Sequence, residues 1–187
     1  MIDFPRPVIG YCAFSGTGKT TLLRRVLPLL RARQLRIAVV KHAHHDFELD
    51  TPGKDSHILR MAGAQHTLLA SRNRLAWVEE HSHPIEPSLQ QCLARLDPQR
   101  LDIVIVEGFK REPYPKIEVH RPSLGHPLLC LSDATVVAVA TDGKLPGAGR
   151  RLPPVLELNC PETIVDFMLA HTGLAHRPGS AASRCLT

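Results

Sequence analysis

The stretch AFSGTGKT, residues 13–20, sets two glycines, a lysine and a threonine at the spacing of the phosphate-loop pattern GxxxxGK(S/T), with Ala13 where that pattern has its first glycine. Glycine is needed where backbone N–H groups curl around an anion and a side chain would collide with it; Gly16 and Gly18 keep those places. Lys19 can then reach the β- and γ-phosphates and Thr20 can offer its hydroxyl to Mg2+. A helix beginning at Lys19 points its positive dipole end at the same charge.

Such a site also needs an acidic group at the end of another strand. In LDIVIVEGFK, the apolar residues 103–106 deliver Glu107 to a strand end, and Gly108 after it leaves room beside bound phosphates. Asp102 stands at the other end of that strand, roughly 17 Å away at about 3.3 Å per residue, so Glu107 is the metal-binding candidate. A third stretch, KHAHHDFELDTPGKDS over 41–56, follows the second strand at the same sheet edge. It admits three readings. His42, His44, His45 and Asp46 could bind a transition metal; the histidines could merely satisfy hydrogen bonds in a surface loop; or Asp46 could be a Mg2+-linked switch carboxylate with Lys41 and Lys54 as phosphate contacts. The third is favoured.

The elements that must position these groups are short β-branched runs with helical patterns between them. Strands are expected over 8–14, 36–41, 66–71, 74–79, 102–107, 116–121, 135–141 and 155–159. Helices are expected over 19–33, 55–62, 86–96 and 161–171, with Pro28 a possible kink in the first and Pro161 in the first turn of the last. This alternation indicates a three-layer α/β fold with a mainly parallel sheet. QHTLLAS and RLAWVEE, separated by little more than Arg72 and Asn73, read as a β-hairpin added to that sheet. A single domain is expected over 1–175, with 176–187 a small, polar, flexible tail.

Composition narrows the ligand class. The 187 residues are 43% hydrophobic, enough for one substantial core, and no apolar run approaches the roughly 20 residues that span a bilayer. The N-terminus lacks a signal peptide's basic start and apolar centre, so a soluble cytoplasmic protein with no membrane association is expected. The five scattered cysteines include no CxxC pair and favour reduced thiols over a disulfide framework. A net charge of +5 suits anionic ligands, while 4% aromatic residues and no nucleic-acid-binding signature favour small phosphorylated molecules over nucleic acid.

Together, SGTGKTTL, KHAHHD, TPGKDS, VEGFK and PKIEVHR, in this order, resemble the molybdopterin-guanine dinucleotide biosynthesis adaptor (MobB) family, which carries a GTP-binding phosphate loop. The resemblance covers about residues 8 to 172. It implies a P-loop NTPase fold and a homodimer that binds GTP with Mg2+, hydrolyses it slowly at most, and assists the guanylyltransferase MobA in attaching GMP to molybdopterin. Carried onto this chain, the nucleotide loop falls on Ser15, Gly16, Thr17, Gly18, Lys19, Thr20 and Thr21. The histidine-aspartate loop falls on residues 42–46, and the acidic strand end on Glu107. In the basic run FKREPYPKIEVHR, Lys110, Lys116 and Arg121 are candidates for a second anion or molybdopterin, with His42 and His45 beside them; ordinary surface charge is the alternative. The guanine motif NKxD is absent, and Asp142, just beyond a strand end in VVAVATDG, is the candidate base reader, unless it only begins a turn before Gly143. The segment PSLGHPLLCLSDA receives no role.

Two other function classes use the same residues. A metallochaperone GTPase would employ the loop of His42, His44 and His45, although no cysteine pair lies near it. A small-molecule P-loop kinase would need an arginine-rich lid and an acceptor-positioning aspartate, and the sequence offers neither outside the Mg2+ set. No residue is assigned to catalysis.

Overall fold

In chain order the elements are β1 (Val8–Cys12), α1 (Lys19–Ala32), β2 (Ile37–Lys41), α2 (Asp55–Met61), β3 (His66–Ala70), β4 (Leu75–Glu79), α3 (Leu89–Leu93), β5 (Ile103–Glu107), β6 (Lys116–His120), β7 (Val136–Thr141), β8 (Val155–Glu157) and α4 (Pro161–His171). This computed structural model describes residues 2–43, 47, 49–145 and 152–174. Two compact units divide the chain: Met1–His42 with Ser88–Thr187, and Ala43–Pro87.

In the larger unit, six strands form one sheet in the order β2-β5-β1-β6-β7-β8, every neighbouring pair parallel. Parallel strands need crossovers, and the helices between them supply covering layers on both faces. On one face α1 and α4 bury Leu22, Leu23, Val26, Leu30, Ile164, Val165 and Met168 against Ile9, Tyr11, Ile103, Ile105, Ile117 and Val119. On the other, Leu89 and Leu93 of α3 pack with Val104, Val106, Phe109 and Tyr114. The side chains of β5 thus alternate between two cores, which explains its unbroken apolar run. Helix α1 runs through Pro28, an exposed position.

Helix α3 is shorter than the expected 86–96. It starts at a capping box, in which the Ser88 side chain accepts from Gln91 N–H and Gln91 answers to the Ser88 backbone, and it closes before Asp97-Pro98, where the residue ahead of proline leaves helical geometry.

The smaller unit holds α2 and the antiparallel pair β3–β4, in register Leu68↔Trp77 and Ala70↔Leu75. This hairpin is a two-stranded sheet of its own, hydrogen-bonded to none of the six strands. Among the described residues of the unit none is buried. No helix among the described residues is long and apolar enough to cross a membrane. Cys12, Cys92 and Cys130 are free thiols, and burial pushes the Cys12 thiol up to about 12.

Candidate functional site

The loop between β1 and α1 occupies the carboxyl edge of the sheet at its central strand. Its glycines adopt left-handed backbone, Gly16 at φ 78° and Gly18 at φ 95°, and Gly18 is the N-cap of α1. A side chain would strain Gly18 there, and no side chain caps the helix, so its first N–H groups remain directed to the loop's concave side. Thr17 is buried and donates its hydroxyl to the carbonyl of Phe14 at 2.9 Å, closing the loop on itself. The Lys19 ammonium donates to the carbonyls of Ala13 (3.1 Å) and Phe14 (3.3 Å), folded back over the turn. Burial lowers its pKa below the ordinary lysine value, with Glu107 pulling the other way. Ser15 on the loop and Thr20 and Thr21 in the first turn of α1 are exposed.

Thr20 and Glu107 are brought together. The Thr20 hydroxyl donates to Oε1 of Glu107 at 3.0 Å, and the Lys41 ammonium stands 3.7 Å from Oε2. Parallel pairing places Lys41 opposite Glu107 and Tyr11 opposite Glu107, so the ends of β2, β5 and β1 converge here. A hydroxyl beside a carboxylate oxygen is a hard-oxygen pair of the kind Mg2+ prefers. Gly108 serves the close approach of the chain after β2. A Cβ added to it would lie 2.6 Å from Cβ of His42, whose ring stacks on Phe109 at 4.5 Å while its N–H donates to the Glu107 carbonyl.

Asp102, at the opposite end of β5, is buried and grips Arg36 through its backbone N–H (2.9 Å), Nε (3.1 Å) and Nη2 (3.0 Å). Its work is to tie β2 to β5. Asp46, His44 and His45 lie outside the described residues. Lys54 belongs to the smaller unit, at the N-cap of α2. Among the described residues no three histidine, cysteine or carboxylate side chains are placed to hold a metal.

The basic run divides. Lys110 is exposed. Lys116 does not fit the expected role of binding a second anion. It is 1% exposed, and its ammonium donates to the Glu112 carbonyl (2.7 Å), Asp133 Oδ2 (3.2 Å) and Thr135 Oγ1 (2.6 Å), which uses its donors in the interior. The alternation of β6 explains this: Ile117 and Val119 enter one core, leaving Lys116, Glu118 and His120 on the opposite face. The residues after β6 roof that face. Glu118, buried, accepts from the N–H groups of Leu129 and Cys130, each at 2.8 Å, and His126 stacks on Phe14 of the phosphate loop at 4.5 Å. The segment PSLGHPLLCLSDA is therefore a cover bonded to buried charge, and the alternation within PKIEVHR was the signal that something had to cover it.

Arg121 reaches the phosphate loop, donating from Nε to the Thr17 carbonyl at 2.9 Å, and its Nη1 pairs with Asp142. Asp142 lies at the rim of a cavity of about 400 Å³ bounded by Thr141, Gly143, Lys144, Leu156 and Glu157. The base-reading candidate and the phosphate loop thus share one arginine.

Comparison with known proteins identifies a family. The family described as "Molybdopterin guanine dinucleotide synthesis protein B" (MobB) matches residues 8–142. The chain is 42% identical over 164 residues to the molybdopterin-guanine dinucleotide biosynthesis adapter protein of Escherichia coli K12, covering 87% of this chain and 91% of that protein. It is 41% identical over 162 residues to the adapter protein of the same name from Haemophilus influenzae, covering 87% of each. Among solved structures, a molybdopterin-guanine biosynthesis protein B superposes with a TM-score of 0.67 at 27% identity, over 89% of this chain and 99% of that one. Bacillus subtilis MobB shares the fold, with a TM-score of 0.68 at 24% identity over 89% and 98%.

Proposed function

This chain belongs to the molybdopterin guanine dinucleotide synthesis protein B family, and from that membership we propose that it is the GTP-binding adaptor that assists the guanylyltransferase MobA in attaching GMP to molybdopterin. The observation that carries the nucleotide part is the hydrogen bond from Thr20 to Glu107, which sets a hydroxyl and a carboxylate beside Lys19 at the mouth of a glycine loop. Thr20 and Glu107 would hold Mg2+, and Gly16, Gly18 and Lys19 would take the phosphates, with Ser15, Thr17, Thr21 and Lys41 in support. The ion would neutralise phosphate charge. Lys19 rests on backbone carbonyls of the loop, so an incoming phosphate exchanges neutral acceptors for an anionic one.

Binding rather than turnover is the activity. Among the described residues no side chain is identified that orients an attacking water, which supports slow hydrolysis at most. The protein acts as a homodimer in the cytoplasm. The smaller unit supports the dimer: Leu68, Leu75 and Trp77 lie on one face of the β3–β4 hairpin, 63%, 70% and 47% exposed. An isolated two-stranded hairpin is marginal in water, and a second copy is the occupant that would cover this face.

The test of the nucleotide part is a titration of GTP against ATP, each with and without Mg2+. Tighter binding of GTP that strengthens with Mg2+ is expected; equal, Mg2+-independent binding of both contradicts the reading.

A further inference from the structure

Strand β6 lies between β1 and β7 in the sheet, so the residue just past its end stands between the phosphate loop after β1 and the turn after β7. Arg121 is that residue. Its Nε donates to the Thr17 carbonyl at 2.9 Å, its Nη1 pairs with Asp142, and its Nη2 lies 3.7 Å from where a Cβ on Gly18 would stand. One planar, permanently charged group with five donors therefore touches the loop that meets phosphate and the carboxylate at the rim of the adjoining cavity.

The chemistry of the pair bears on base selection. A carboxylate that reads guanine must be ionised and must accept from two neighbouring N–H donors, N1–H and N2–H2. A guanidinium offers the same kind of donor pair. Resting the guanidinium on Asp142 holds the carboxylate oriented for such an edge, and the bond to Thr17 fixes the guanidinium to the loop.

Resting on the GTP-binding reading above, we infer that Arg121 is a positioning residue that holds Asp142 ready for guanine and ties base selection to the phosphate loop. Its effect is exerted through Asp142 on one side and Thr17 on the other. A lysine offers a single point charge and cannot span both partners, so the role is specific to the fork.

The experiment measures GTP, ITP and inorganic tripolyphosphate binding to the full chain and its Arg121→Gln, Arg121→Lys, Asp142→Asn and Arg121→Gln/Asp142→Asn forms. ITP keeps N1–H and lacks the 2-amino group, so the GTP/ITP affinity ratio reads the carboxylate's contact with that group. Tripolyphosphate reads the loop. Arg121→Gln is expected to lower the ratio about tenfold, the scale of one lost hydrogen bond to a charged group. Arg121→Lys should fail to restore it, and the double variant should show the ratio of Asp142→Asn alone. Tripolyphosphate binding should fall about two- to threefold in both arginine variants while the fold, followed by thermal melting, persists. An unchanged ratio in Arg121→Gln, or full rescue by lysine, overturns this role alone. Failure of the unmodified chain to bind GTP overturns the nucleotide reading and this proposal with it.

Discussion

The hydroxyl of Thr20, one residue into α1, donates to the carboxylate of Glu107 at the end of β5 at 3.0 Å, across 87 positions of sequence. Neither residue is informative alone. Together they set an oxygen pair at the phosphate loop because β1 and β5 are adjacent and in register from Val8↔Val104 to Tyr11↔Glu107.

Glu107→Gln should therefore weaken the Mg2+ dependence of GTP binding while keeping the shape of the site. The amide loses the charge that attracts a hard cation. The Mg2+ concentration for half-maximal binding is expected to rise about tenfold, ~1.4 kcal/mol. Calorimetric titration of Mg2+ at fixed GTP checks this, and a parental midpoint would mean that other groups hold the ion.

Lys116 is assigned to stability rather than to ligand. Lys116→Met removes a buried cation from Asp133, Thr135 and the Glu112 carbonyl, so unfolding should require about 2–4 kcal/mol less. Urea denaturation measures the loss. A variant as stable as the parent but deficient in ligand binding would contradict this assignment.

The same cluster gives a pH dependence. Burial acts to raise the pKa of Asp133, but the Thr135 hydroxyl and N–H and the Lys116 ammonium outweigh it and hold the carboxyl below its ordinary value of 3.8. A depressed folded pKa contributes stability that is present above the unfolded value and is lost as pH falls through the folded one. Stability should thus decline below about pH 3.8, and Asp133→Asn should flatten that part of the profile. Denaturation midpoints between pH 2.5 and 5 distinguish the two forms, and superimposable slopes would remove Asp133 from the account.

The smaller unit carries a prediction of its own. Leu68→Lys with Trp77→Lys places charge on the exposed hairpin face and should convert a dimer into a monomer in sedimentation velocity at micromolar concentration. Persistence of the dimer would move the interface elsewhere.

Most strands were legible in the sequence within one or two residues, because runs such as DIVIVEG are β-branched and bounded by turn residues. The glycine turn between β1 and α1 was legible from the order of strand, glycines, Lys19 and helix, and Gly16 and Gly18 take the left-handed backbone that this order calls for. What escaped depends on who covers whom. PKIEVHR displays two faces, and only the path of residues 122–135 turns the charged face inward, making Lys116 a core residue and Glu118 an acceptor for Leu129 and Cys130. That path has no periodicity to read. The link from Arg121 to Thr17 spans 104 positions and follows from strand order, which short-range patterns do not encode. The hairpin was legible as a hairpin; its separateness from the main sheet was not.

The central claim, that this protein aids synthesis by holding GTP, is tested most directly in a reconstituted conversion of molybdopterin to its guanine dinucleotide by the guanylyltransferase at limiting GTP. Lys19 supports no core packing, so Lys19→Ala should fold and yet fail to hold nucleotide. Added parental protein is expected to raise the yield and the Lys19→Ala form to leave it at the level of the guanylyltransferase alone. Equal stimulation by the two forms would contradict the claim.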